Sequence, residues 1–321
     1  MIRIQRILCP TDLSPESDEG LRYGLALASA YQARLIVYSC VHPGANGNGS
    51  SQAPNVAAEN VRALFERSLR RYLEESRFAS LDWEGIVVEC DDVGDAIAHQ
   101  AALYGVDLIV MRSRRRPHRA ALLGSTAESV CRTAPCPVLV LHTDERDWLG
   151  EQAGQIELKR ILVAYDFSDY SELALRYALS LAQEYQSELH LLHLLPPQMS
   201  NEPELTWCPL GNEGSYHKAR ARLQKAVPAE AHLWCNIKYE VGEGQPYREI
   251  LSHAEKESID LICIGAQGTG FGLRTLFGSN VDRVLRQAPC PVLVARPLKP
   301  IGRLSAESIA RQHPVVGSAL V

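Results

Sequence analysis

Short apolar runs alternate along the chain with segments in which apolar residues recur every three or four positions. In the C-terminal half, the run at 160–164 is apolar and β-branched, as expected of a buried strand. Leu175, Ala178, Leu179 and Ala182 follow at helical spacing, which predicts a helix over 171–185. The alternation continues and predicts strands at 189–195, 237–241, 260–264 and 291–295, and helices at 216–226, 247–256 and 279–286.

The N-terminal half carries the same pattern, with strands predicted at 7–9, 35–40, 85–89, 107–111 and 138–141. It also shares sequence with the C-terminal half. Ala-Pro-Cys-Pro-Val-Leu-Val occurs at 134–140 and again 154 residues later, at 288–294. Leu-Arg-Tyr at 21–23 recurs at 175–177 with the same offset. One offset for two separated blocks indicates a duplicated domain.

Strands that alternate with helices form parallel βαβ units with right-handed crossovers. We therefore predict an α/β fold with two tandem, doubly wound, mainly parallel five-stranded sheets and flanking helices. The predicted domains are 1–143 and 156–298, joined by a polar linker and followed by a tail at 299–321, where 305–312 could form a short helix. We expect the apolar last strands of the two copies to pair, because exposed strand edges favour pairing. The tandem could also form a homodimer.

The composition argues against several classes of function. Hydrophobic residues make up 46% of the chain and charged residues 22%, with a net charge of −5, so no overall positive charge draws the protein to nucleic acid or an anionic membrane. No apolar run is long enough to span a bilayer, and the first residues lead into a strand rather than a signal peptide. Nine cysteines without a CxxC pair, among them Cys9, Cys40 and Cys263 in apolar runs, indicate buried thiols. We expect a cytoplasmic protein.

One glycine pattern in the C-terminal half carries candidate chemistry. Gly265 and Gly268 follow the fourth strand of this half, and Gly278-Ser279 comes nine residues after Gly268, at the start of a predicted helix. Glycine lets a ligand approach the backbone closely, and a helix N-terminus attracts anions. Both clusters would lie at the carboxyl ends of strands, where open α/β sheets bind ligands. The pattern therefore predicts a site for nucleotide phosphates.

The spacing G-x2-G-x9-G-S resembles the ATP-binding signature of the universal stress protein family. The resemblance extends to Asp166, to Gly244-x-Pro246, to Asp-Leu-Ile at 260–262 and to Cys-Pro-Val-Leu-Val at 290–294. It covers 3–142 and 157–296, nearly the whole chain. It implies that each half has the fold of that family, which is similar to the adenine-nucleotide alpha-hydrolases.

The resemblance also implies residue roles and a ligand, ATP with Mg²⁺ or Mn²⁺. Asp166 would contact the ribose or a phosphate-bound divalent cation. The resemblance assigns no residue as a direct ligand of the metal. Ala164 and Tyr165 would lie on the adenine side, and the backbone of Leu194 would contact the adenine edge. Ribose and phosphates would be held by Gly265, Gly268, Gly278, Ser279 and Asn280.

Two of these residues have simpler structural interpretations. Ser279 could be the N-cap of its helix, with Asp282 completing a capping box. Asp166 could be a turn or helix-entry aspartate before the helix predicted at 171–185. A capping role and a phosphate contact for Ser279 are compatible.

The N-terminal half departs from the glycine pattern. Arginines occupy the two strand-end positions, and only the glycine–serine pair before the helix remains. The basic loop either contacts acidic side chains or the other half, or it forms a different anion site, because guanidinium groups bind phosphate oxygens in pairs. Nucleic-acid binding is disfavoured, since no aromatic residues accompany the cluster. The residues of this possible anion site are Arg112, Arg115, Gly124 and Ser125.

The sequence shows no catalytic constellation. It has no P-loop, nucleophile elbow or acid/base pair, and the histidines lack metal-ligand spacing. His190 and His193 alternate with leucine, which indicates core packing or a position beside the ligand. We predict a nucleotide-responsive stress regulator that is not an enzyme and has at most slow ATPase activity. The alternatives are an interaction scaffold with vestigial nucleotide sites and a slow ATP-hydrolysing enzyme.

Overall fold

The structure is a computed structural model. It describes residues 2–41, 80–113, 124–142, 145–150, 155–195, 213–268, 278–297 and 316–318, with isolated helical positions at 63, 67 and 70.

The N-terminal half alternates strands and helices, as predicted. Each strand lies within one or two residues of its predicted bounds. The described elements are β1 Arg6–Pro10, α1 Pro15–Tyr31, β2 Arg34–Val41, β3 Trp83–Glu89, α2 Val93–Leu103, β4 Leu108–Arg112, α3 Ser125–Thr133 and β5 Val138–Leu141.

The C-terminal half repeats this order and adds a 3₁₀ helix. Its elements are β6 Arg160–Ala164, α4 Asp169–Tyr185, β7 Glu188–Leu195, α5 Glu213–Ala226, the 3₁₀ helix Ala229–Leu233, β8 Ile237–Glu243, α6 Pro246–Lys256, β9 Leu261–Gly265, α7 Ser279–Gln287 and β10 Val292–Ala295. One further strand, β11 Val316–Ser318, comes from the tail. The helix predicted at 305–312 lies outside the described residues.

All described strands belong to one sheet, in the order β11-β3-β2-β1-β4-β5-β10-β9-β6-β7-β8. Neighbours within each half are parallel. At the centre β5 pairs with β10 in antiparallel orientation, with Leu139 opposite Leu293. The expected two sheets are therefore continuous, because the apolar last strand of each half satisfies the backbone groups of the other. The antiparallel edge strand β11, on β3, was not predicted.

The core has two layers, one on each face of the sheet, and both layers extend across the two halves. Side chains alternate along a strand, so Leu139 and Leu293 belong to one layer, and Val138 and Val294 to the other. All four are at most 3% exposed. The central strand pair is therefore buried on both faces.

Equivalent helices in the two halves begin and end alike. The side chain of Ser14 caps α1 and that of Ser168 caps α4. Gln32 and Gln186 end these helices in the left-handed conformation. The preceding turns also correspond, because Leu13 and Phe167 both have positive φ, at 59° and 63°.

The cysteines differ from expectation at one pair. Cys40 and Cys90 form a disulfide, with their Cα atoms 6.0 Å apart, so Cys40 is not the buried thiol that was expected. The two residues end the neighbouring strands β2 and β3 but are 50 positions apart in sequence, so the local pattern does not show their proximity. Six other described cysteines, including Cys9 and Cys263, are buried thiols, as predicted.

Among the described helices, none has both the length and the apolar character needed to cross a membrane.

Candidate functional site

The fold brings the predicted nucleotide residues to one edge of the sheet. Ala164 ends β6, and Tyr165 and Asp166 follow it directly. Gly265 ends the neighbouring parallel strand β9. Gly278 precedes α7, and its N–H donates to the carbonyl of Ala266 across 3.4 Å. Ala266, directly after β9, is therefore hydrogen-bonded to the residue that precedes α7.

Asp166 and Gly268 are in direct proximity. A Cβ atom at Gly268 would lie 2.6 Å from Oδ2 of Asp166, so a side chain there would force this carboxylate to shift. The other oxygen, Oδ1, accepts a hydrogen bond from the backbone N–H of Ser168 at 3.1 Å and another from its hydroxyl. Asp166 therefore orders the turn before α4, and it also has an oxygen directed toward Gly268.

Gly265 has a packing role that the sequence pattern does not reveal. A Cβ atom there would lie 2.7 Å from the backbone carbonyl carbon of Tyr170 and 2.9 Å from the amide nitrogen of Ser171. The missing side chain allows α4 to approach β9. Packing therefore explains the glycine at this buried position, independently of any ligand.

The start of α7 does not form the capping box that the sequence suggested. Gly278 is the N-cap and Ser279 the first helical residue, so Ser279 is not the cap. Asp282 does not close a capping box but bonds to Arg286, with N···O distances of 2.8 and 2.6 Å. Within the described part of the chain, no side chain caps the first amides of α7. Together with the helix dipole, these donors suit an anion.

Ser279 and Asn280 occupy the first two positions of α7, with Ser279 exposed and Asn280 half-buried. Leu194 lies near the end of β7, opposite Gly242 of β8. Its side chain reaches within 2.9 Å of the position that a Cβ atom of Gly242 would occupy.

Three further side chains, those of His193, Phe167 and Arg222, lie together beside Tyr165. The sequence analysis did not predict that they are neighbours. His193 Nδ1–H donates to the carbonyl oxygen of Tyr165 at 2.8 Å. The ring of His193 contacts that of Phe167, with centroids 4.5 Å apart, and the guanidinium carbon of Arg222 lies 3.7 Å from the Phe167 ring centroid. Burial lowers the pKa of His193, the hydrogen bond to Tyr165 opposes this, and the charge of Arg222 lowers it further.

The equivalent edge of the N-terminal half contains a buried ion pair. Nη1 of Arg112 lies 3.2 Å from Oε2 of Glu19, and the Arg112 side chain is only 9% exposed. This contact supports the interpretation in which the basic loop meets acidic side chains. Gly124 is the N-cap of α3, and its N–H donates to Ser113 Oγ at 3.3 Å. Ser125 is the exposed first residue of α3, and Arg115 lies outside the described residues.

Comparison with known proteins agrees with the duplicated fold. The sequence profile of the universal stress protein family matches residues 3–142 and again 157–296. A universal stress protein of Mycolicibacterium smegmatis is 26% identical over 302 residues, which cover 91% of this chain and 97% of that protein. A universal stress protein of Methanocaldococcus jannaschii is 32% identical over 145 residues, or 44% of this chain and 85% of that protein.

A solved structure shows the same fold over the whole tandem. The crystal structure of a universal stress protein from Archaeoglobus fulgidus aligns with a TM-score of 0.67 at 22% identity, covering 92% of this chain and 99% of the other. The alignment and the two profile matches agree with a doubled fold. The chain belongs to the universal stress protein family and carries two domains of that family in tandem.

Proposed function

We propose that the C-terminal half binds ATP at the carboxyl ends of β6 and β9, and that the protein is a nucleotide-responsive stress regulator. One observation carries the proposal. The Asp166 carboxylate, Gly268 beside it, and the amides at the start of α7 lie at one edge of the sheet. Such an arrangement offers donors for phosphate oxygens next to a carboxylate for a cation or a ribose.

Each part of the site has a proposed role. The amides of Ser279 and Asn280 would donate to phosphate oxygens, because no described side chain caps them. Asp166 would hold the ribose or a phosphate-bound Mg²⁺ or Mn²⁺, since its Oδ2 faces the space that Gly268 leaves open. Adenine would lie toward Ala164, Tyr165 and Leu194. Gly265 would serve the site indirectly, by letting α4 approach β9.

We propose that the N-terminal half does not bind ATP in this way. It lacks both strand-end glycines, and Arg112 is buried against Glu19 at the position equivalent to Gly265. Its role would be to pair with the C-terminal half through β5 and β10. A cytoplasmic location and a homodimer remain predictions from the sequence.

The decisive experiment separates phosphate binding from helix capping. Gly278→Asp places a carboxylate at the N-cap of α7, where it should stabilise the helix but repel phosphate. ATP with Mg²⁺ at about 100 times its Kd should stabilise the wild-type protein by about 2.7 kcal/mol. We expect thermal unfolding to show this gain in wild type and its loss in Gly278→Asp.

Gly124→Asp is the matched control, because Gly124 is the N-cap of α3 in the N-terminal half. This variant should keep the full ATP-dependent gain. An undiminished gain in Gly278→Asp, or no gain in wild type, would contradict the proposal, and the latter result would favour an interaction scaffold. Rapid hydrolysis of γ-labelled ATP that disappears in Asp166→Ala would favour the enzyme alternative.

A further inference from the structure

Two histidines and a glutamate of the C-terminal half converge at a place that the proposed ATP site does not use. His190 lies on β7 and is fully buried, Glu240 lies on β8, and His253 lies on α6. His190 Nδ1 and His253 Nε2 are 3.0 Å apart, and His253 Nδ1 is 3.3 Å from Oε2 of Glu240. One ligand atom from each residue lies within 4.8 Å of the others.

We propose that His190, His253 and Glu240 form a binding site for a divalent transition-metal ion, with Zn²⁺ as the best match. Two imidazoles and one carboxylate are a ligand set that Zn²⁺ commonly accepts, with an open position left for water. Zn–N distances of about 2.0–2.1 Å in a tetrahedral site place the two nitrogens roughly 3.3 Å apart. The observed separation of 3.0 Å is close to that value.

The hydrogen bond between His190 and Glu188 orients the His190 ring for a metal. His190 Nε2 lies 2.8 Å from Glu188 Oε1, so this nitrogen donates to the carboxylate and Nδ1 presents its lone pair to His253. On the other side, Oε2 of Glu240 lies 3.3 Å from His253 Nδ1, so this carboxylate stands beside the second ring. A carboxylate that accepts from the outer nitrogen of a ligand histidine, as Glu188 does here, is the usual support of a metal site.

The charges around the cluster favour a cation. Glu188, Glu240 and Glu257 surround it, and the nearby ammonium groups are those of Lys238 and Lys256. The carboxylates exceed the ammonium groups by one. Glu240 has a side chain that is 40% exposed, so the site opens to solvent on this side.

The N-terminal half shows that the fold does not need this cluster. By strand register, Ile36 occupies the position of His190, and Ile86 that of Glu240. Gln100 corresponds to His253, because its carbonyl accepts from Tyr104 as that of His253 accepts from Glu257. Two isoleucines and a glutamine fill the same place between the same elements. The polar cluster is therefore specific to the C-terminal half.

The test is metal binding by the full-length, untagged chain after treatment with a chelator. Titration calorimetry with Zn²⁺ should show one equivalent bound, and Co²⁺ should give visible absorption typical of four-coordinate nitrogen and oxygen ligation. His253→Gln, which introduces the residue of the N-terminal half, should weaken Zn²⁺ binding by at least tenfold. Glu188→Gln should weaken it by about 10–100-fold through the orientation of His190.

His217→Gln is the control, because His217 is an exposed histidine on α5, and its Zn²⁺ affinity should equal that of wild type. Near-ultraviolet circular dichroism of each variant checks the fold, and His190→Ile provides a second ligand variant if His253→Gln unfolds. The proposal is overturned if wild type binds neither metal, if the ligand variants bind as wild type does, or if Co²⁺ shows thiolate charge-transfer bands. Loss of ATP binding alone leaves it intact, since none of the three ligands belongs to the proposed ATP site.

Discussion

Gly265 and Gly278 belong to one sequence motif, but the structure gives them different surroundings. Gly265 is buried against the backbone of Tyr170, whereas Gly278 begins a helix in a conformation that any residue can adopt, with φ −65° and ψ 133°. A side chain at Gly265 has no space, whereas a Cβ atom at Gly278 would come nearest, among the described atoms, to Val281 Cγ2, at 3.3 Å. The first glycine therefore governs stability, and the second is the better position for testing ligand binding.

Gly265→Ala should destabilise the protein by about 1–3 kcal/mol, because the new methyl group must push α4 away from β9. The comparison is Gly214→Ala on α5, where none of the described residues places a neighbouring atom within 4 Å of the added Cβ. That change should leave stability unchanged or raise it by up to about 1 kcal/mol. Urea unfolding of the two variants checks the difference, and equal stabilities would refute the packing role of Gly265.

His193 makes the stability of the C-terminal half depend on pH. Its pKa in the folded protein is lowered, first by burial, so the unfolded chain takes up a proton more readily. The contribution of neutral His193 is fully present above its usual pKa of 6.5 and is lost as the pH falls from there through the lowered pKa.

His193→Gln keeps a donor for the carbonyl of Tyr165 but removes the titrating group. The free energy of unfolding, measured in urea between pH 7.5 and pH 5, should fall less steeply on the acid side in this variant than in wild type. His217→Gln, an exposed histidine, should follow the wild-type curve. Parallel curves for wild type and His193→Gln would show that another group is responsible.

At the scale of elements, local pattern predicted the strands and helices but not what joins distant segments. The predicted strand bounds agreed closely with the observed ones because a continuous apolar run marks a strand that is buried on both faces. His190 and His253 are 63 residues apart, and each looks like an ordinary core or surface histidine in its own element, so spacing rules for metal ligands could not pair them. The disulfide between Cys40 and Cys90 and the pairing of β11 with β3 escaped prediction for the same reason.

The candidate nucleotide site was predictable to a similar degree. The glycine spacing predicted that Gly265, Gly268 and the start of α7 would lie at one edge of the sheet, where the structure has them, but it could not separate the packing glycine from the glycine that begins a helix. His193, Phe167 and Arg222 assemble beside Tyr165 from three elements, so their contact depends on the tertiary fold.

Arg146, in the segment that joins the two halves, binds the second half through both its side chain and its backbone. Nη1 of Arg146 donates to the carbonyl oxygens of Ala254 and Ile259, at 2.8 Å each, and its backbone N–H donates to Pro289 at 2.9 Å. Arg146→Ala should cost about 2 kcal/mol, because the carbonyls lose a charged donor. Arg22→Ala, which removes a mostly exposed ion pair with Asp147, should cost at most about 1 kcal/mol.

Denaturant unfolding measures both variants. If Arg146→Ala has no larger effect than Arg22→Ala, the side-chain contacts of the joining segment do not contribute to the stability of the tandem.

At the scale of the whole molecule, the continuous sheet joins the two duplicated domains into one structural unit. Arg296, after β10, bonds to the carbonyl of Cys131 on α3, so contacts between the halves extend beyond the central strands to the helices. Both buried layers likewise contain residues of each half. The two domains share one core rather than two that merely touch.

The antiparallel contact of β5 with β10 also fixes the direction in which each half faces. Because strand direction reverses there, the carboxyl ends of the N-terminal strands and those of the C-terminal strands face opposite sides of the molecule. The edge with the proposed ATP site therefore lies on the opposite side from the edge that contains Arg112 and Glu19. A ligand bound at one of these edges would not occupy the other.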